Sequence, residues 1–218
     1  MAKKEHVMRN VTFWVVLSAL AVASVYMMPA AAQVAPKDSD KPWEALLGKP
    51  APPVKLELLG GGTFDLGSFK DKKVVVMEFW ASWCPPCRIL MPVFAEVATA
   101  YKDKDVMFVG INQAEPADKV KAFMESNKLA FPVALDTKGD VSTVYMVDSI
   151  PRLVVVGKDG TVQSIHAGLE GRTVKQAQSN AKQKLTQEID KLLAGQKLVL
   201  PQPSEPTQEA KTSDSEKS

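Results

Sequence analysis

Two cysteines and two histidines are all the thiols and imidazoles in these 218 residues. There is no third cysteine, and beyond the N-terminal segment His166 is the one remaining histidine, so a cysteine–histidine metal cage lacks ligands. Arg88 stands after the second cysteine, where a covalent haem attachment motif needs histidine. No cysteine lies near the N-terminus, which excludes a lipid carried on an N-terminal cysteine. Internal repeats are absent. After Leu200 there is no aromatic and no large aliphatic residue, so the end of the chain cannot bury enough to offset its ordering entropy.

What is present begins with "MAKKEHVMRN", carrying Lys3, Lys4 and Arg9, followed at once by the uncharged "VTFWVVLSALAVASVYMMPAAA". This is the layout of an export signal. The apolar part, Val11 to about Met28, exceeds the ~7–15 residues of an ordinary signal core and nears the ~18 that can span a bilayer, so a retained anchor is the alternative. Ala30 and Ala32 before Gln33 form an A-x-A cleavage site behind Pro29, which favours removal. The basic residues hold the N-terminus inside, so the remainder is expected to cross to a periplasmic or other extracytoplasmic space. Removal takes away three basic residues and one acidic one, and the charges then balance at 24 each. A balanced chain without a Lys/Arg cluster carries no footprint for nucleic acid. The expected organisation is 1–32 signal peptide or membrane anchor, 33–47 linker, 48–195 one domain and 196–218 disordered tail.

Within that domain, strand and helix patterns alternate. "VKLELL", "GGG" and "TFDL" read as an N-terminal hairpin. "KVVVMEFW" and "VMFVGIN" are apolar runs suited to strands covered on both faces. From Cys87 to Tyr101, Leu90, Phe94 and Val97 form one helical stripe, and Pro92 is expected to kink that helix. Val120, Phe123 and Met124 mark a second helix. "RLVVVG", "KDG" and "TVQSIHA" read as another hairpin, and Val174–Ala194 as a helix capped by Gly195. The pattern predicts an α/β fold: a central mixed β-sheet flanked by helices.

The two cysteines stand in "FWASWCPPCR", where a buried strand ends and a helix begins. As a staple they close too small a loop to approach the ~3 kcal/mol of a 15-residue loop. As a reagent they fit better, because unpaired N–H groups and the positive helix end favour a thiolate. Pro85 and Pro86 remove two of those N–H groups, leaving the Cys87 amide as the nearest donor to the Cys84 sulfur.

"FWASWCPPCR", Pro92, "FPVALD", "SIPRLVVV" and "GKDGTV" together resemble the thioredoxin-like fold, in particular the exported TlpA-like thiol-disulfide oxidoreductases, over roughly Gly48 to Gly195. The resemblance implies a three-layer thioredoxin-like architecture and a redox-active dithiol without cofactor or bound metal. Cys84, the more exposed sulfur, is then the attacking thiolate, and Cys87, one turn into the helix, resolves the mixed disulfide. Glu78 takes the place of a buried acid behind the cysteines, accepting the Cys87 proton. Pro151 matches the family's cis-proline, and Ile150, Trp83 and Pro86 line the substrate surface. Arg152 is unusual at its position and is expected to tune partners. Trp80 reads as core, and His166 as a strand or loop residue without a catalytic part.

The expected activity is therefore reduction of disulfides in client proteins, apocytochromes or copper-site proteins being the proposed class, with a membrane thiol reductase as electron donor. Membrane contact follows only if the N-terminal segment stays uncleaved. The competing function is a copper-binding module built on the cysteine pair. A peroxide reductase would need a P-x-x-x-T-x-x-C context, which is missing.

Overall fold

The computed structural model describes residues 41–198. The expected signal or anchor over 1–32, residues 33–40 of the linker and the tail beyond Leu198 lie outside the described residues. Strands β1 (Lys55–Glu57) and β2 (Thr63–Asp65) form the N-terminal antiparallel hairpin. Then follow β3 (Val74–Trp80), α1 (Pro85–Ala100), β4 (Val106–Gln113), α2 (Ala117–Ser126), β5 (Val133–Asp136), α3 (Asp140–Val144), β6 (Arg152–Val156), β7 (Val162–Ala167) and α4 (Val174–Leu193). The five-stranded sheet has the order β5-β4-β3-β6-β7. β3, β4 and β5 run parallel, while β6 and β7 pair antiparallel, giving the mixed α/β sheet the sequence pattern predicts.

β3 is the central strand, and all seven of its residues are buried because both faces are covered. Val74, Val76 and Trp80 pack with Phe94 and Val97 of α1, Val120 of α2, and Leu185 and Ile189 of α4. Val75, Met77 and Phe79 point the other way, onto Phe64 of the hairpin and Val141 and Tyr145. Gly110 on β4 is dictated by this packing: a Cβ there would lie 2.7 Å from Trp80 Nε1 and 2.9 Å from the Phe131 ring. Both sheet edges are covered, as exposed edges invite pairing with other chains. Leu59 N–H donates to the Val133 carbonyl at 2.8 Å along β5, and Gly48 N–H donates to Val162 at 2.8 Å along β7.

Several expectations change. The linker does not extend to residue 47: Pro42–Leu46 form a 3-10 turn whose Trp43 is buried in the core, so the folded region starts before Gly48. Gln196–Leu198 likewise belong to it, with Leu198 N–H donating to Gln163 Oε1 at 3.2 Å. β5 and α3 escape the element pattern because four and five residues are too short to show a period. α1 begins at Pro85 rather than Cys87, since its two prolines occupy first-turn positions that need no N–H partner. Its buried stripe is Cys87, Met91, Phe94 and Val97, with Leu90 only half-buried. At the end of α4, Gly195 has φ 75°, and the Gln196 and Gly195 amides close onto Lys191 and Leu192 carbonyls at 2.9 and 3.1 Å, a Schellman cap.

Candidate active site

The C-terminal end of β3 delivers the chain through Ala81–Trp83 to Cys84, which caps the N-terminus of α1. Cys84 and Cys87 are joined in a disulfide, their Cα atoms 5.3 Å apart. Cys84 Sγ accepts from the Cys87 amide at 3.2 Å, the single donor left by the two prolines. Cys84 is the more accessible sulfur-bearing residue only by a small margin, at 3% against 0% for Cys87, so in the disulfide form both are buried. Trp83 beside them is 63% exposed, whereas Trp80 is wholly buried, as expected of each. Pro86 is half-buried on the first turn of α1.

The Ile150–Pro151 peptide is cis. The Ile150 carbonyl oxygen lies 3.6 Å from Cys84 Sγ, close enough to accept from the thiol when the pair is reduced. The tertiary fold thus brings the segment just before β6, 66 residues downstream, to the helix mouth.

Glu78 lies on the face of β3 shared with Val76 and Trp80, the layer that also holds Cys87. It is 2% exposed, and neither carboxyl oxygen has a hydrogen-bond partner. Burial pushes its pKa up to about 8, because an ionised carboxylate there loses its hydration without compensation. A small cavity of about 70 Å³ extends beneath α1 and α4 and touches Glu78, Leu90, Pro151, Leu153 and His166.

Arg152 departs from expectation. It is 1% exposed and points into the fold, so it presents nothing to a partner. Its Nη2 donates to Asp148 Oδ1, and also to Ser149 Oγ at 3.3 Å, while its guanidinium lies 4.7 Å from the Trp43 ring centroid. Nε and Nη1 have no hydrogen-bond partner. Burial pulls its pKa down, and Asp148 opposes that shift. Through Asp148 and Ser149 the arginine fastens the two residues before Ile150.

Glu115 is not among the site residues that the sequence suggests. It is 3% exposed at the end of β4, where Oε2 accepts from Ser82 N–H at 2.6 Å and Asn112 Nδ2 at 2.9 Å, and Oε1 accepts from Ser82 Oγ at 2.6 Å. Lys119 closes the set with an ion pair at 2.7 Å. Burial raises the Glu115 pKa, but these hydrogen bonds outweigh it and hold the carboxyl down at about 2. Ser82 is two residues before Cys84, so the carboxylate anchors the segment leading into the disulfide. Its one sequence signal, an acid opening a helix pattern, is shared with many helix starts.

Among the described residues, no group of three or more His, Cys, Asp or Glu side chains is assembled to hold a metal ion. The described residues also contain no helix long and apolar enough to cross a membrane.

Comparison with known proteins agrees with this geometry. A family model described as Redoxin matches residues 46–185. The chain is 38% identical over 123 residues to the thioredoxin-like protein YneN of Bacillus subtilis (strain 168), a match covering 56% of this chain and 71% of that one. It is 30% identical over 156 residues to the thiol-disulfide oxidoreductase ResA of Halalkalibacterium halodurans, covering 72% and 86%. Among solved structures it is similar to the secreted Mycobacterium tuberculosis disulfide oxidoreductase homologous to E. coli DsbE. That pair shares 26% identity with a TM-score of 0.52, over 62% of this chain and 95% of that one.

Proposed function

This chain belongs to the redoxin family of thioredoxin-fold thiol-disulfide oxidoreductases, and from that premise we propose that it reduces disulfides in client proteins outside the cytoplasm. The observation that carries this is the placement of Cys84 Sγ at a helix N-terminus, beside the exposed Trp83 and 3.6 Å from the Ile150 carbonyl. A client strand laid along Trp83, Pro86, Ile150 and Pro151 would bring its disulfide to that sulfur.

The Cys84 thiolate attacks a client sulfur and expels the other as thiolate, leaving a mixed disulfide. Glu78 then takes the proton of Cys87, whose sulfur attacks Cys84 Sγ and releases the second client thiolate. The pair ends as the disulfide present in the structure. Two electrons have passed to the client, and a membrane thiol reductase facing the same compartment returns them. The clients put forward are exported proteins whose cysteines must be reduced before a cofactor is inserted, apocytochromes and copper-site proteins.

The basic-then-apolar N-terminal sequence supports export, as does the secreted structural neighbour. The experiment is trapping: the Cys87→Ala protein, expressed in an extracytoplasmic compartment, should accumulate mixed disulfides on Cys84 that dissolve with reductant. Copper retained by the wild-type pair, with no trapped protein, would favour the metal-handling function instead.

A further inference from the structure

Glu78 has no direct exit for a proton, since both its oxygens are buried and unpartnered. The cavity of about 70 Å³ beside it leads across the sheet to His166. Glu78 is in register with Leu153 on β6, and Leu153 with His166 on β7. The three side chains therefore share one face, the outer two separated by two strand spacings, about 10 Å. A second cavity of about 470 Å³, more polar in its lining, is bounded by His166, Ser164, Glu188 and Lys191.

Two side chains line both cavities, His166 and Lys184. Lys184 is committed to Glu170 at 3.3 Å, and an ammonium has no acceptor. An imidazole can accept a proton on one nitrogen and release one from the other. Glu188 Oε2 fixes the ring, 2.9 Å from His166 Nε2, and also accepts from Ser164 Oγ at 2.7 Å. The charged groups around His166 are Glu78 from β3, Lys184, Glu188 and Lys191 from α4, and Glu170 from the loop after β7. Glu44 and Lys197 line the outer cavity.

We propose that His166, held by Glu188, is the relay through which Glu78 exchanges its proton with solvent. This rests on Glu78 being the acceptor for Cys87. The S–H bond of Cys87 breaks as its sulfur bonds to Cys84 Sγ, the mixed disulfide breaks to release the client thiolate, and the proton goes to the Glu78 carboxylate. Glu78 then passes a proton to the imidazole through water in the inner cavity, which exceeds the ~10–15 Å³ that one water needs and, though mostly apolar, is lined by Glu78 and His166, whose polar ends can hydrogen-bond it. The imidazolium releases one to water in the outer cavity. One proton has moved from Cys87 to solvent, and His166 undergoes no redox change. His166 is thus a positioning residue that acts through Glu78 and does not touch sulfur.

The test uses the full chain and an aromatic disulfide, 5,5′-dithiobis(2-nitrobenzoate), in stopped flow at pH 7, below the value of about 8 to which burial pushes Glu78. There the carboxyl must shed a proton before it can accept one. The first thionitrobenzoate released reports attack by Cys84, and the second reports attack by Cys87. In His166→Val the second phase should slow about tenfold, less than the ~10²–10⁴-fold of a group that takes the reacting proton directly, and recover with added imidazole. The first phase should be unchanged. Glu188→Gln should slow the same phase less. A second phase within twofold of wild type, or a slow one that imidazole does not restore, overturns the relay. Glu78→Gln run alongside separates the two ideas. If it slows the second phase and His166→Val does not, Glu78 keeps its role and the relay falls; if it changes nothing, both fall.

Discussion

The carbonyl oxygen of Ile150 and the Sγ of Cys84 lie 3.6 Å apart across the mouth of α1. An acceptor at that place favours the protonated thiol, while the Cys87 amide at 3.2 Å favours the thiolate. With Pro85 and Pro86 contributing no N–H, the thiolate has one local donor. Replacing Pro86 by Ala restores a second first-turn donor. The Cys84 pKa, followed by iodoacetamide alkylation against pH, should fall by roughly half a unit, in line with the ~0.3–1 kcal/mol of helix-terminus effects. The reduction potential should rise with it, because stabilising the thiolate favours the reduced form. No change in either would show that the turn amides do not tune this sulfur.

Glu78 makes stability depend on pH in a definite direction. Its folded pKa, about 8, exceeds the ordinary carboxylate value, so the folded state holds a proton that the unfolded chain has lost. Below about pH 4 both states are protonated and nothing is lost. As pH rises from there to about 8, folding loses up to about 1.4 kcal/mol per unit. Glu78→Gln carries no such term. In thermal melts of the oxidised protein it should match wild type at pH 4 and exceed it at pH 9; equal melting points at both would mean the carboxyl is hydrated.

The Glu115 clamp behaves in the opposite sense. Held at about 2, its carboxylate contributes stability above the ordinary glutamate range and loses it as pH falls from about 4 towards 2. Glu115→Gln should cost up to about 3 kcal/mol at pH 7 by denaturant titration, with the gap closing in acid. The same variant should broaden amide exchange at Ser82 and Trp83, since Ser82 loses its anchor. Unchanged protection there would remove Glu115 from the active-site loop.

Asp148 and Arg152 should respond asymmetrically. Asp148→Ala leaves a buried guanidinium short of its main partner and is expected to destabilise by about 2–3 kcal/mol. Arg152→Met removes the cation together with its two unpartnered nitrogens and is expected to be neutral or stabilising. Chemical denaturation of both variants decides it, and equal losses would contradict a desolvation penalty at Arg152.

Much of the site was legible as text. Cys84 and Cys87 sit where a valine run meets a helix pattern, and a local arrangement of strand end, prolines and helix start needs only neighbouring residues to define it. Glu78 stood out because an acid among valines violates the expected apolar pattern. A charged residue after a proline reads as surface, and only the fold shows Arg152 buried: the Trp43 ring, more than a hundred residues upstream, lies 4.7 Å from its guanidinium, while Asp148 pairs with it locally. Glu115 and His166 gave no usable signal, because the contact that gives each its place comes from elsewhere in the fold: Ser82, from the loop after β3, for Glu115, and Glu188, from α4, for His166.

The chain's local order thus fixed the chemistry available: a dithiol at a helix N-terminus with one nearby amide donor and an acid in the strand behind. Only the folded sheet decided how that chemistry is serviced. Strand order sets β3 between β4 and β6, and register then places Glu78, Leu153 and His166 on one face while Ile150 meets Cys84. Hydrogen bonds between residues dozens apart depend on which strands become neighbours, and that is settled by burial summed over the whole core rather than by any local run of residues.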